Sequence, residues 1–146
     1  MEIRPFNPSD TDQLLTVFRE SVPGAFGINE VDEYAEFLRT NTDPYFVATY
    51  QEKPIGACGY YCLEGKNVAR ICWILTDPAA KGLGVGGALL THTLNLIRQQ
   101  TNIQQVECRT SQVAYRFFEK YGFRLHYTEP DMWAPGLDLY FMTLAL

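Results

Sequence analysis

A glycine-rich stretch in the middle of the chain has the residue types that bind an anion. Gly82, Gly84, Gly86 and Gly87 fall close together, and an amphipathic helix pattern begins immediately after them. Glycine lets a backbone approach a ligand closely and adopt positive φ angles. The first turn of a helix leaves N–H groups unpaired and carries partial positive charge. The stretch therefore predicts a binding site for a phosphate or pyrophosphate group.

The same glycines also satisfy the dinucleotide-binding pattern G-x-G-x-x-G, which is a competing interpretation. Glu107 follows Gly87 by about 20 residues, where that pattern places an acid for the ribose hydroxyl. In a dinucleotide fold, however, the first glycine follows its strand directly, whereas Thr76–Lys81 intervenes here. Too little sequence follows to complete a doubly wound sheet, and no Gly-Lys-Ser/Thr completes a P-loop. A different phosphate ligand is therefore favoured.

The elements around the glycines predict an α/β sandwich built on a mostly antiparallel sheet. Short turns after the second and third strands favour an antiparallel meander, and the helix after the glycines implies one parallel strand–helix–strand unit. About four helices are expected: one carrying Leu14 to Phe18, one capped by Asn29, one from the glycines to Asn102, and one over Gln112–Tyr121. The predicted strands are Glu2–Phe6, Pro44–Tyr50, Ile55–Leu63, Val68–Thr76, Ile103–Arg109, Phe123–Tyr127 and Leu139–Leu146, with a loop over Asp131–Asp138.

Length and composition favour a single globular domain over residues 1–146. Hydrophobic residues make up 47% and charged residues 20%, and the net charge is −5. A negative chain argues against nucleic acid and anionic membranes as partners, because both require a basic surface. The four cysteines form no CxxC pair or Cys/His cluster, so reduced, buried cysteines and no metal are expected. No signal peptide or spanning segment is seen, which makes the cytoplasm the default location.

Two motifs together resemble the GCN5-related N-acetyltransferase (GNAT) superfamily. Lys81, Gly84 and Gly86 fill the positions of its coenzyme A motif, with lysine in place of the usual arginine or glutamine. The segment Ala114–Phe123 is similar to the family's Ala-x-x-Phe-Tyr-Glu-Lys-x-Gly-Phe helix. The order of predicted elements along the chain agrees with that fold. The resemblance implies an acetyl-coenzyme A-dependent N-acetyltransferase that acylates a primary amine by direct attack.

The resemblance also implies which residues contact the donor. Backbone N–H groups of the glycine loop would hold the pyrophosphate, and the end of the central strand would pair with the pantetheine amides. The family asparagine that contacts coenzyme A falls at Ser111 or Gln112, depending on the alignment. The implied donor-binding residues are Ile74, Leu75, Thr76, Lys81, Gly82, Leu83, Gly84, Val85, Gly86, Gly87, Ser111, Phe117 and Phe118.

The catalytic groups are less well defined by the resemblance. The family's usual general acid is a tyrosine, and Phe118 occupies that position here, so Tyr115 or Tyr121, one helical turn away, could replace it. Water, or no acid at all, is a further alternative, because a thiol pKa near 8.5 makes the leaving thiolate tolerable. The family's central-strand glutamate corresponds to Cys72. Glu107 matches a glutamate of ribosomal-protein acetyltransferases only after a one-residue shift, which reverses its face on a strand.

The acceptor side is described least by the sequence. An acidic run on the second predicted helix (Glu30, Asp32, Glu33 and Glu36) either attracts an amine or forms a solvated helix face. The aromatic residues Tyr127, Trp133 and Tyr140 either shape an acceptor pocket or fill the core. A small-molecule or peptide amine is the expected acceptor, and monomer or homodimer the expected state. Because Phe118 lacks a proton to donate and the central-strand glutamate is missing, a non-catalytic or regulatory acyl-coenzyme A-binding module is the alternative function.

Overall fold

The computed structural model describes residues 1–146 and shows seven strands in one sheet. The sheet order is β1-β2-β3-β4-β5-β7-β6, and every neighbouring pair is antiparallel except β4 and β5. The parallel pair is possible because a helix connects the two strands. The strands are β1 (Glu2–Pro5), β2 (Tyr45–Tyr50), β3 (Lys53–Cys62), β4 (Val68–Thr76), β5 (Gln105–Thr110), β6 (Arg124–Ala134) and β7 (Leu137–Ala145).

Four α-helices cover the two faces of the sheet: α1 (Thr11–Glu20), α2 (Glu30–Thr40), α3 (Val85–Arg98) and α4 (Tyr115–Glu119). The longest, α3, buries Leu89, Leu90 and Ile97 against one face, in a core that also takes in Phe118 and Phe123. The opposite face carries a second core, in which α1 and α2 pack Phe18 and Tyr34 over β2, β3 and β4. The α/β fold class, with its single parallel pair, is therefore confirmed.

Most predicted strands shift by one or two residues at an end, and three sequence-based predictions differ by more. The predicted loop over Asp131–Asp138 is wrong, because β6 continues to Ala134 and β7 begins at Leu137, which leaves only a tight turn between them. An irregular register between Glu129 and Ala134 interrupts the alternation that marks a strand. The last helix is shorter than predicted, at Tyr115–Glu119, and α3 ends at Arg98, before Asn102.

The cysteines are all free thiols, but they are not all buried. Cys58 and Cys108 are buried, Cys72 is partly buried, and Cys62 is exposed at the end of β3. Burial raises the pKa of the Cys58 thiol to about 12, so that thiol stays protonated and unreactive. The expectation of four buried cysteines is therefore wrong for Cys62.

Candidate functional site

The parallel strands β4 and β5 separate soon after they meet. They pair only at Val68–Gln105, Ala69–Val106 and Arg70–Glu107, and no β5 partner exists for Ile71 to Thr76. On its other edge β4 remains paired with β3 as far as Thr76. From Ile71 to Thr76, the edge of β4 that faces β5 is therefore unpaired, although β4 lies in the middle of the sheet. Unpaired backbone N–H and C=O groups favour a ligand that can hydrogen bond as a strand would.

A bulge in β4 changes which residues face the cleft. The β3–β4 register shifts between Ala57 and Gly59, and Trp73 in the bulge has a φ of 42°. As a result Cys72 and Trp73 both pack on the side of α1 and α2, while Ile71 and Ile74 pack on the side of α3. A positive φ is unusual for a bulky residue and is tolerated only where packing fixes it.

The glycine loop leads directly from this unpaired edge into the first turn of α3. The N–H groups of Gly82, Gly84, Val85, Gly86 and Gly87 donate to no oxygen of the chain, and the first bond of the helix is from Ala88 to Gly84. Five free donors at a helix N-terminus form an anion site, because the helix dipole adds to their partial charges. Leu83 differs from the rest of the predicted set, since its N–H donates to Ala80 and its side chain is exposed.

Two of the glycines keep the approach to these donors open. Gly82 and Gly84 have φ angles of 93° and 70°, which only glycine adopts without strain, and a Cβ at either position would meet no atom within 4 Å. Gly86 and Gly87 instead permit close packing. A Cβ at Gly86 would lie 3.4 Å from the Phe117 ring. The open glycines therefore shape the anion site and the crowded ones bring α4 against α3.

These features open into one cleft of about 770 Å³ that runs across the sheet. Its donor end, which we define as the glycine loop and the unpaired edge of β4, is lined by Ile74, Leu75, Thr76, Lys81, Gly82, Gly84, Val85, Gly86, Gly87, Ser111, Phe117 and Phe118. The structure thus gathers every predicted donor-binding residue except Leu83. Ser111 lines the cleft, whereas both side-chain groups of Gln112 bond to the β6–β7 turn at Gly136 and Asp138. Of the two alternatives left open by the alignment, the lining of the cleft therefore favours Ser111.

The two tyrosines proposed as acids lie beside the cleft and do not line it. The Tyr121 hydroxyl packs onto the first turn of α3, so closely that a Cβ at Gly87 would lie 2.3 Å from it. Tyr115 packs against Tyr140 in a tilted arrangement, with ring centroids 4.8 Å apart, and carries the Arg116 guanidinium over its ring. Phe118 is buried and packs against Phe117 and Phe123. Tyr121 is thus the tyrosine nearer to the donor end.

Glu107 is committed to an ion pair. Its carboxylate is buried and pairs with Arg70, the residue opposite it in the parallel ladder. Arg70 also donates to the Tyr61 hydroxyl at 2.8 Å. Arg70 and Tyr61 line the cleft, whereas Glu107 does not. The packing also shows which face of β5 each residue occupies. Val106 packs in the core on the α3 side, and its neighbour Glu107 therefore lies on the opposite face. Glu107 therefore affects the cleft indirectly, by holding the Arg70 side chain in place.

The other end of the cleft, which we define as the acceptor end, lies under α1 and α2. It is lined by Ser21, Ala25, Phe26, Glu30, Phe37, Tyr61, Arg70, Cys72, Trp73, Arg109 and Trp133. Of the acidic run, only Glu30 is buried there, while Asp32, Glu33 and Glu36 are exposed. Tyr127 is exposed and Tyr140 packs against Tyr115, so Trp133 alone of the three predicted aromatics lines the cleft.

Glu30 is a site residue that the sequence could not single out. Its position at the start of α2 is typical of any acid that favours a helix N-terminus. In the structure its Oε1 atom accepts the Gly27 N–H at 3.0 Å, and the carboxylate lies in the wall of the cleft. Burial raises its pKa, against the opposing effect of the Gly27 bond, and the nearby Glu33 charge raises it further.

Two segments that are distant in the sequence meet at the acceptor end. Asn29, which precedes α2, donates its side-chain amide to the Trp133 carbonyl at 2.9 Å, and so bonds across the cleft instead of capping its own helix. Trp133 in turn donates its indole N–H to the Thr110 carbonyl at 2.9 Å. The connection between α1 and α2 therefore rests on the β6–β7 hairpin.

Neither a metal-binding cluster nor a membrane-spanning helix is found in the structure. No three His, Cys, Asp or Glu side chains gather closely enough to hold a metal ion. None of the helices is both long enough and apolar enough to cross a membrane.

Solved structures with the same fold cover nearly the whole chain. Ard1 from Thermoplasma volcanium is 23% identical with a TM-score of 0.83, over 99% of this chain and 97% of its own. A phosphinothricin acetyltransferase from Sinorhizobium meliloti, solved with acetyl-CoA, is 21% identical with a TM-score of 0.80, over 99% and 88%. The ribosomal-protein-alanine N-acetyltransferase from Brucella melitensis is 19% identical with a TM-score of 0.77, over the whole of both chains. At these identities the likeness establishes the fold.

The sequence itself carries the family assignment. A search of curated proteins finds none that matches it. The profile of the acetyltransferase (GNAT) family, however, matches residues 11–123, which include the unpaired edge of β4, the glycine loop and α4. The chain therefore belongs to the GNAT acetyltransferase family.

Proposed function

We propose that the protein is an acetyl-CoA-dependent N-acetyltransferase that acylates a primary amine by direct attack. The observation that carries the proposal is the continuity of the donor end. Five free N–H groups at the start of α3 open into the same cleft as the unpaired edge of β4. A pyrophosphate fits the first feature and the pantetheine amides fit the second. Solved members of this fold hold coenzyme A or acetyl-CoA, which supports the assignment.

The chemistry needs little from the protein beyond position and polarity. The lone pair of a neutral amine attacks the acetyl carbonyl, the new C–N bond forms, and the C–S bond breaks with its electron pair on sulfur. One proton leaves nitrogen and one reaches the thiolate, so the reaction is balanced without a cofactor. Holding both partners in one cleft supplies much of the rate gain, because it replaces a bimolecular encounter.

Three residues are proposed to assist. Tyr121 is the proposed proton donor to the thiolate, because its hydroxyl lies on the first turn of α3, beside Gly87 in the cleft wall. Tyr115, engaged with Tyr140, is the second candidate. Glu107 acts indirectly, as a positioning residue that holds Arg70 in the acceptor end.

Binding and turnover test the proposal separately. Isothermal titration with acetyl-CoA is expected to show a single site, and absence of binding would overturn the donor assignment. Incubation with acetyl-CoA and a panel of amines, followed by measurement of free thiol, tests transfer.

The alternative function is a non-catalytic acyl-CoA-binding module. Two observations favour it: Phe118 has no hydroxyl at the family's usual acid position, and Glu107 is already bonded to Arg70. Tight acetyl-CoA binding with no amine-dependent thiol release across the whole panel would establish this alternative over the enzyme.

A further inference from the structure

Glu30 is the one carboxylate in the wall of the acceptor end. The other acid of the cleft, Asp77, lies at the donor end and accepts the Ala79 N–H at 2.9 Å. Glu30 is 5% exposed, its Oε1 is fixed by Gly27, and its Oε2 accepts no hydrogen bond from the chain. No arginine, lysine or histidine pairs with it. No fully buried side-chain oxygen of the protein lacks a hydrogen bond, so the unbonded Oε2 is accessible in the cleft wall. A largely desolvated carboxylate without a cation favours a ligand that brings a positive charge to that atom.

The surface around this carboxylate is aromatic. Phe26, Phe37, Trp73 and Trp133 line the same end of the cleft, and all four are half-buried. Such walls suit an apolar or aromatic substituent, which would bury its surface there. Aromatic faces also attract an ammonium group, so they complement Glu30.

The remaining charges of the cleft disfavour polyamines. Lys81 at the donor end and Arg109 at the acceptor end line it without ion pairs, whereas the charge of Arg70 is balanced by Glu107. A polyamine would bring several positive charges near Lys81 and Arg109, whereas a monoamine brings only one and can place it at Glu30. The Asn29–Trp133 hydrogen bond joins two segments at the acceptor end, which favours a compact acceptor over an extended one.

We propose that the acceptor is a compact monoamine with an apolar or aromatic substituent, and that Glu30 binds its amino group directly. This inference rests on the proposed acetyl transfer. The Glu30 carboxylate takes one proton from the ammonium group and leaves a neutral amine beside the thioester. After the C–N bond forms and the C–S bond breaks, the second amine proton goes to the thiolate and Glu30 releases its own to solvent. The ammonium form of the amine and the thioester thus become amide, thiol and one proton released to solvent.

The test compares 2-phenylethylamine binding in the protein and in Glu30→Gln. Glutamine keeps a carbonyl oxygen for the Gly27 N–H, so the variant preserves the structural bond and removes only the charge. Isothermal titration with the protein saturated with coenzyme A measures amine affinity directly. We expect Glu30→Gln to weaken amine binding at least tenfold and to raise KM for the amine, with the Kd for acetyl-CoA unchanged. Spermidine is expected to bind more weakly than 2-phenylethylamine.

Glu33→Gln is the matched control, because Glu33 is an exposed acid one turn further along α2. Equal amine affinity in Glu30→Gln and the parent protein would overturn the inference, as would an equal loss in Glu33→Gln. A preference for spermidine, or no binding of 2-phenylethylamine at all, would overturn the acceptor class. These results differ from failure of the proposed function, which would show as loss of acetyl-CoA binding in the parent protein.

Discussion

The two ends of the cleft are built in different ways. The donor end consists mainly of backbone groups from one continuous segment, in which the free edge of β4 leads into the glycine loop and α3. The acceptor end consists of side chains from the connection between α1 and α2, from α2, from the strands β3, β4 and β5, and from the β6–β7 hairpin. A backbone site depends on glycine positions, which are local in sequence. A side-chain site depends on tertiary contacts between distant segments, so substitutions alter it easily while the donor end stays fixed.

The largest expected effect is at the donor end, from Gly84→Glu. The new side chain would project from an open position into the anion site, placing a carboxylate beside the five free N–H groups. We expect acetyl-CoA affinity to fall at least about 100-fold, a loss of about 2.7 kcal/mol, as measured by isothermal titration.

Gly65→Glu is the matched control for that substitution. Gly65 has a φ of 72°, and a Cβ added there would likewise meet no atom within 4 Å, but it lies in the turn between β3 and β4, outside the cleft lining. Both variants therefore carry the same backbone strain. Equal affinity for acetyl-CoA in the two variants would remove the distinction between a backbone-built donor end and the rest of the chain.

Arg70→Met tests the side-chain construction of the acceptor end. It leaves the buried Glu107 carboxylate without its cation and Tyr61 without its donor. We expect the free energy of unfolding to fall by about 3 kcal/mol, the lower limit for a buried ion pair because Arg70 is partly exposed. Denaturant titration measures this loss, and acetyl-CoA affinity should be retained. Adding Glu107→Leu should recover part of that loss, because the unpaired charge is then gone. Arg39→Met, which breaks the exposed pair with Glu36, should leave stability unchanged, and a comparable loss there would contradict the argument.

A smaller effect is expected from Tyr121→Phe, which removes the proposed acid and keeps the ring. We expect kcat to fall about tenfold, less than is usual for general acid catalysis, because the thiol is itself a moderate acid. Stability and acetyl-CoA affinity should hold. Tyr115→Phe, whose ring packs against Tyr140, should change kcat less than Tyr121→Phe. A reversed order of the two variants in steady-state assays would reassign the acid.

The smallest effect concerns stability, and it follows from the raised pKa of Glu30. An acid with a raised folded-state pKa stabilises the fold fully below its ordinary value of 4.5 and loses that contribution as pH rises through the folded value. Glu30→Gln should therefore be more stable than the parent protein at neutral pH. Thermal unfolding should show the difference shrink below pH 4.5. A less stable variant at neutral pH would indicate that Glu30 serves the fold.

The sequence was sufficient for the donor end because its signals are short-range. Val68–Thr76 was predicted with the bounds that β4 has, and the glycine spacing marks the start of α3. The family resemblance then suggested coenzyme A as the ligand, which stays a proposal for this chain. Glu30 could not be separated from its acidic neighbours, because its burial depends on the chain folding α2 over the sheet. The pairing of Arg70 with Glu107 depends on parallel register, and the Asn29–Trp133 bond spans most of the chain. No local pattern encodes these contacts.

The short parallel ladder has a consequence for how long the protein survives. Only three residue pairs join β4 to β5, so the half-sheet from β1 to β4 and the half-sheet of β5, β7 and β6 share few direct backbone bonds. A donor molecule lying along the free edge would act as a missing strand between them. Ligand present at about 100 times its Kd adds about 2.7 kcal/mol to the folded state. We therefore expect the protein to resist proteolysis more strongly when acetyl-CoA is abundant and less strongly when it is scarce.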